Sequence, residues 1–306
     1  MTDIAVIIVN YNTASYTVEC IEKVQHFTNK TLTYEIIVVD NNSEFDDYVY
    51  LEKNIPKQPN ISLHRSPVNT GFGGGNMHGE QFANAKYLLF LNNDAMLLND
   101  GLGILKKYMD AHPSVGVCTA QNYDKKNAFV PSFDHNKGLR RLLFGRGFLE
   151  KSNPKKYPKR KFEYEQPVEV DWVNGAFLFF NAKAFAQAGK FDTNIFLYFE
   201  EMDICHRLRK QGYSSMLVPD AKILHYQGVS TGSSKVINTE AYISYLRVIR
   251  KNYGFGKLLI IKLYLTFVFL LKPKKWYLLP IMLSANPQKL SLKNKQKPRI
   301  FDTNGN

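Results

Sequence analysis

The stretch Tyr87-Leu-Leu-Phe-Leu-Asn-Asn-Asp94 decides the fold class. A mostly apolar run, Tyr87 to Leu91, stops abruptly at two amides and a carboxylate. A short apolar run cut off by polar residues reads as a buried strand that opens into a site. In an open α/β sheet, ligands bind beyond the carboxyl ends of the strands. One carboxylate beside two amides suits a hard divalent cation that takes oxygen ligands and keeps positions for phosphate oxygens. The same residues also read as a strand followed by an ordinary turn.

Upstream, Ile4-Ala-Val-Ile-Ile-Val9 is another continuous apolar run, ended by Asn10-Tyr-Asn-Thr13. Thr13 or Ser15 is placed to cap a helix running to about Phe27. Tyr34 to Asp40 is a second strand, closing on Asp40, Asn41, Asn42 and Ser43, and Asn60 to Arg65 is a shorter third. Asn69-Thr-Gly-Phe-Gly-Gly-Gly-Asn76 then leads into a helical stretch to about Ala85. Strand, helix, strand, repeated with short connections, argues a parallel doubly wound α/β sheet. Three strand ends thus turn polar groups to one edge: Asn10 and Asn12, Asp40 and Asn42, and Asn92, Asn93 and Asp94. A buried aspartate there can accept from a nucleobase N–H or a ribose hydroxyl, although Asp40 reads also as a helix cap. The glycines let backbone approach a ligand and put N–H groups at a helix start, where anions bind. A flexible loop is their plain alternative, because no strand leads straight into a dinucleotide fingerprint.

Downstream, Gly101 to His112 reads as a helix stopped by Pro113, and Val115 to Thr119 as a strand. Residues 122–168 show little periodicity, and from Lys137 to Lys161 they carry ten Lys and Arg against Glu150 alone. A loop this long is usually functional or mobile. Its charge suits an anionic acceptor, or is simply solvated. Regular structure resumes at Val168 to Gly175, with a core strand at Ala176 to Asn181 and a short helix from Lys183 to Ala188. Phe191-Asp-Thr-Asn-Ile-Phe-Leu-Tyr-Phe-Glu-Glu-Met-Asp203 runs into a further helix. Glu200, Glu201 and Asp203 stand at its start, where acids are favoured by about 0.3–1 kcal/mol each. Aromatic neighbours would also desolvate a carboxyl there and raise its pKa, as a general base requires. His225 ends an apolar segment and reads as a structural histidine or a metal ligand.

The 306 residues allow one large domain, or one with an appendage. Cys20, Cys118 and Cys205 are far apart, so neither a disulfide framework nor a thiolate zinc site is expected, and a reducing compartment fits. Met1-Thr-Asp-Ile4 lacks a basic leader and reads as a first strand rather than a signal peptide. Of the net charge of +13, nearly all lies beyond Leu246, where thirteen Lys and Arg face only Asp302. Such a tail means nucleic acid or an anionic membrane surface. It carries no nucleic-acid motif and is interrupted by apolar segments, which argues against nucleic acid. Leu258 to Leu271 is a 14-residue apolar stretch broken by Lys262. A spanning helix needs about 20 apolar residues. Lys272-Pro-Lys-Lys275 and Trp276-Tyr277 follow, as at a headgroup layer. The expectation is a segment that lies on the membrane without crossing it. The alternative is a helix from Tyr242 to Leu271 packed on the sheet.

The ordered set of motifs resembles inverting family 2 glycosyltransferases of the GT-A fold, in the rhamnosyltransferase-like branch that builds bacterial cell-surface polysaccharides. The carrying residues are Val9-Asn-Tyr-Asn12, Val38-Val-Asp-Asn-Asn-Ser43, Asn69 to Asn76, Leu91-Asn-Asn-Asp94, Gly175 with Phe191-Asp192, Phe199-Glu-Glu-Met-Asp203 with Arg207-Leu-Arg-Lys-Gln-Gly-Tyr213, and His225-Tyr-Gln-Gly. They cover about residues 4–232. The resemblance implies a GT-A domain over 1–235. Within it would lie a nucleotide-binding half (1–121), a basic insertion (122–168) and an acceptor half (169–235). A helical, basic extension would occupy 236–306.

Asp40 would meet the base of a dTDP- or UDP-sugar, with Asn10, Asn12 and Asn42 nearby. Asn69, Gly73, Gly74 and Asn76 would flank ribose and diphosphate, beside Asn92 and Asn93. Asp94 and His225 would hold Mn²⁺ or Mg²⁺, with Asn92 standing where the family's D-x-D motif has its first aspartate. Glu201 falls at the family's catalytic base, next to Glu200 and Asp203. The acceptor would be a glycan or a polyprenyl-diphosphate-linked saccharide at the cytoplasmic face of the membrane. Two other classes share parts of this pattern: a nucleotidyltransferase and a non-catalytic nucleotide-sugar binder. The first wants a basic loop after its first strand, which Asn10-Tyr-Asn-Thr13 is not.

Overall fold

The computed structural model describes residues 1–226, 228 and 234–299. Gln227 of the His225 motif and Asp302 lie outside the described residues. The first half alternates as expected: β1 (Thr2–Asn10), α1 (Ala14–Phe27), β2 (Tyr34–Asp40), α2 (Phe45–Asn54), β3 (Ile61–Arg65), α3 (Gly71–Glu80) and β4 (Ala85–Asn92). Then come β5 (Ala95–Leu97), α4 (Gly101–Ala111) and β6 (Val115–Tyr123). Strands run in the order β3-β2-β1-β4, all parallel, with Asn10 opposite Asp40 and Val9 opposite Asn92. The aligned register is what brings the polar strand ends to one edge. Ile4 to Ile8 of β1 are wholly buried, as a strand covered on both faces must be.

The insertion is folded rather than bare. It holds β7 (Phe129–Val130), β8 (Phe133–Asp134), α5 (Leu139–Phe144) and α6 (Arg146–Ser152). Asp134 anchors it, bonded to both Nη1 and Nη2 of Arg141 and 3.7 Å from Arg160. After it come β9 (Val168–Glu169), β10 (Trp172–Val173), β11 (Phe177–Asn181), α7 (Ala182–Gln187), α8 (Glu200–Lys210) and β12 (Ser214–His225). β11 pairs antiparallel between β4 and β6, and β12 continues parallel to β6 with β5 on its far side.

Two local expectations change. Thr13 precedes α1, but its side chain makes no cap bond; Asp47 of α2 accepts the Ala14 N–H instead, at 2.9 Å. The glycine cluster is not a loop ahead of a helix; it is the helix α3. A Cβ on Gly75 would sit 2.9 Å from Val9 Cγ1, and one on Gly79 2.7 Å from Ile7 Cγ2. Glycine costs a helix about 1 kcal/mol against alanine. Here that cost brings α3 directly onto β1 and β2.

The C-terminal region packs on the domain. α9 (Lys235–Leu270) is kinked at Gly254 (φ 85°). Before the kink, Ile243, Tyr245, Leu246, Val248 and Ile249 are buried. After it, Leu258, Ile261, Leu265 and Phe269 cluster with Leu278 and with Ile281 and Met282 of α10 (Leu279–Leu283). The opposite face, Leu259, Leu263, Phe267 and Leu270, is exposed. Arg299 then returns to the nucleotide-binding half, donating to the Asn42 carbonyl at 2.9 Å and pairing with Glu44 at 2.6 Å.

Candidate active site

The three strand ends do meet, but their side chains are used differently. Asn10 and Asp40 are fully buried. Asn10 Nδ2 donates to Asp40 Oδ1 (3.1 Å), Ser43 Oγ (3.0 Å) and Asp47 Oδ2 (2.8 Å), while its Oδ1 accepts from Thr17. Asp40 Oδ2 accepts from the Ser43 N–H and lies 3.3 Å from Arg65 Nε. These two residues therefore brace the strand ends, and no atom of either reaches the surface. Asn12 is exposed, with its Oδ1 accepting from the Glu44 N–H. Asn42 donates to the Lys297 carbonyl and keeps a buried Oδ1 with no partner.

The residues around α3 also hold one another. Asn69 Oδ1 accepts from the Gly71 N–H and from Asn41, and Asn76 donates to Phe72 O. Gly74 stacks on Thr70, where a Cβ would come within 2.6 Å. Gly73 faces Glu200, whose Cγ a Cβ would meet at 3.5 Å.

At the end of β4, Asp94 and His225 come together. Asn93 donates to Thr13 and Thr17, which turns the chain and leaves Asp94 beside β12. β12 pairs with β5 so that His225 stands opposite Ala95, and the Tyr226 N–H reaches Asp94 O at 3.0 Å. His225 Nε2 lies 3.2 Å from Asp94 Oδ1, and its Nδ1 is buried with no partner. One carboxylate and one imidazole with an unused nitrogen fit a divalent cation that draws its other ligands from a substrate's oxygens. Among the described residues no group of three or more His, Cys, Asp or Glu forms a complete cage.

A short path leads from there to the acids. The Asn92 N–H donates to Ala176 O at 3.0 Å, so Gly175 lies beside the end of β4. A Cβ on Gly175 would fall 2.0 Å from Glu201 Oε1. Only glycine leaves this space, and its N–H bonds the carboxylate. Glu201 lines a cavity of about 420 Å³ with Lys137, Arg160, Trp172, Asn174 and Tyr198. Burial pushes its pKa up to about 7, against the pull of backbone N–H groups and of Lys137. Just before it, Tyr198 and Phe199 both adopt left-handed backbone, φ 70° and 71°. Side chains rarely take that conformation, and such strain gathers at functional sites.

The neighbouring acids differ. Glu200 points inward, 1% exposed, with Oε1 unpartnered. Burial, then the charge of Glu201, pushes its pKa well above the ordinary carboxyl range. Asp203, the third expected candidate, is bound up in ion pairs. It is wholly buried and paired with Arg207 (2.7 Å), Lys251 (2.8 Å) and Asn252 (3.0 Å), and it fastens α9 to α8. Sequence reading passed over Lys137, Trp172 and Asn174 as members of the site. Lys137 carried a signal, as the first of the ten cations from Lys137 to Lys161; Trp172 and Asn174 carried none.

Residues 5–181 match the family model "Glycosyl transferase family 2". N-acetylglucosaminyl-diphospho-decaprenol L-rhamnosyltransferase of Mycobacterium tuberculosis is 38% identical over 78 residues, 26% of this chain and 25% of that protein. Rhamnosyltransferase WbbL of Escherichia coli is 27% identical over 204 residues, 63% of this chain and 73% of that protein. The crystal structure of GalNAc-T7 with UDP, GalNAc and Mn²⁺ superposes with a TM-score of 0.58 at 15% identity. That superposition covers 82% of this chain and 48% of GalNAc-T7, and it confirms the expected fold. The chain belongs to glycosyl transferase family 2.

Proposed function

We propose that this chain moves a sugar from a dTDP- or UDP-sugar, with dTDP-L-rhamnose the first choice, to a hydroxyl of a glycan or polyprenyl-diphosphate-linked saccharide. The transfer inverts the anomeric centre and serves bacterial cell-surface polysaccharide synthesis. The observation that carries the reading is Glu201, held by the Gly175 N–H at the wall of a cavity with its pKa near neutrality. A base poised there takes the proton of an acceptor hydroxyl as that oxygen attacks the anomeric carbon from the face opposite the leaving diphosphate. Lys137 faces the same cavity and steadies the carboxylate before the proton arrives. Asp94 and His225 would hold Mn²⁺ or Mg²⁺, which supplies positive charge to the departing nucleoside diphosphate. Rhamnose as donor is supported by the names of the two bacterial relatives.

The protein works at the inner face of the membrane in this reading. α9 is the one helix among the described residues long and apolar enough to cross a membrane. Two features favour lying on the surface instead. Its first half is packed on the domain, and the part beyond Gly254 rises only about 24 Å at 1.5 Å per residue, short of the ~30 Å hydrocarbon core. The exposed stripe Leu259, Leu263, Phe267 and Leu270, followed by Lys272, Lys274, Lys275 and exposed Trp276, supplies apolar insertion beside basic charge.

The test is turnover of a panel of nucleotide sugars with and without Mn²⁺. Hydrolysis or transfer of a thymidine or uridine donor, lost in EDTA, is expected. Turnover only of donors carrying another base, or of none, would overturn the donor reading.

A further inference from the structure

A second, larger cavity of about 880 Å³ lies between the insertion, α8 and α9, and the chemistry above does not use it. Its walls carry Arg140, Lys155, Lys156, Lys210 and Lys257, with the carboxylates Glu169 and Asp171 also in the lining. None of these five has a carboxylate among the described residues within ion-pair distance, whereas the lining Arg141 and Arg209 are paired with Asp134 and Asp171. Its lining also includes the apolar Leu149, Ile249, Ile261 and Tyr253. His206 faces the same space with Nε2 buried and unpartnered. Burial, together with Lys210 and Arg209, pushes its pKa down to about 4, so the imidazole is neutral amid positive charge.

The cavity adjoins the active site. Asn136 and Gly138 line the large cavity, and Lys137 between them lines the one holding Glu201. On another side it borders apolar surface. Leu143, Phe144 and Phe148 of α5 and α6 are exposed, and the Tyr264 hydroxyl, donating to Leu142 O at 2.9 Å, fixes α5 against the membrane-facing half of α9.

Unpaired cations select a phosphate-type anion, and an apolar lining beside exposed apolar helices selects a hydrocarbon chain. We propose that this cavity binds a phosphate or diphosphate carried on an apolar chain, and so holds the anchor of the acceptor while its sugar enters the neighbouring cavity. The proposal rests on the lipid-linked acceptor proposed above.

The experiment measures binding of farnesyl diphosphate to the full chain in EDTA, with farnesol and inorganic diphosphate as controls. Farnesyl diphosphate should bind at least tenfold tighter than either control. Lys155→Ala/Lys156→Ala/Lys210→Ala should weaken it tenfold or more, while the matched exposed triple Lys30→Ala/Lys53→Ala/Lys107→Ala leaves it unchanged. Competition by phosphatidylglycerol vesicles, lost in the first triple variant, would support the same site with a lipid headgroup as its source. Lack of competition would assign it to lipid diphosphate. Unchanged affinity in the first triple variant, or inorganic diphosphate binding as tightly as the farnesyl ester, would overturn the proposal. Donor hydrolysis without acceptor is measured in parallel and should be equal in wild type and variant. Its absence from both would sink the transferase reading alone and leave the binding result standing.

Discussion

At the ends of β1 and β2, Asn10, Asp40, Ser43 and Asp47 bond one another, and Arg65 closes the group from β3. At the start of α8, Glu200 keeps an unpartnered oxygen, Glu201 is raised to about 7, and two aromatic residues before them hold left-handed backbone. Both clusters are acidic, and sequence alone marks both as ligand-facing. The difference between them is satisfaction. A polar group whose partners are all internal holds the fold; one left short of partners has bonding capacity for a substrate.

The sharpest break is Glu201→Gln. Transfer should fall by about 10²–10⁴-fold, the usual weight of a general base, with donor binding kept. Wild-type kcat/KM should fall as pH drops below about 7. Stability should run the other way. The folded state binds the Glu201 proton more tightly than the unfolded state, whose value is 4.5, so stability falls as pH rises between 4.5 and about 7. Glu201→Gln should remove that slope and raise Tm at pH 8; an unchanged rate would reassign the base.

Next comes Gly175→Ala. Its methyl would take the place of Glu201 Oε1, and moving a reacting group by about 1 Å costs on the order of 10²-fold in rate. Equal rates in wild type and variant, measured as acceptor-dependent transfer, would refute the placement.

Asp40→Ala tests the other cluster. It removes one buried acceptor from the group around Asn10 and Ser43, and unfolding by denaturant should show a loss of about 1–3 kcal/mol. A fully stable variant with weakened nucleotide affinity would make Asp40 a ligand contact after all.

The smallest effect is expected at the surface. Leu263→Glu/Phe267→Glu should abolish flotation with anionic vesicles and leave turnover of a soluble acceptor unchanged. Vesicle binding that survives both charges would remove the stripe from the membrane contact.

These contrasts show where sequence runs out. Tyr87 to Asp94 and the other strand ends were legible because a run buried on both faces has one reading. The glycines of α3 were misread because propensity disfavours them in a helix, and only contact with Val9 and Ile7 explains them. Asp203 and Glu201 are two residues apart on one helix. Their fates diverge because Lys251 and Asn252, far along the chain, come back to one and not the other. Asp40 likewise depends on Arg65 from another strand. The partners that come from Lys251, Asn252 and Arg65 are set by tertiary approach, which no local pattern encodes.

The contact of Arg299 with Asn42 joins positions 257 residues apart. During synthesis at about 5–20 residues per second, some 13–50 s separate the emergence of its two ends. For that time the nucleotide-binding half does without this clasp. The buried network of Asn10, Asp40, Ser43, Asp47 and Arg65 lies within residues 10–65 and draws on none of the later chain.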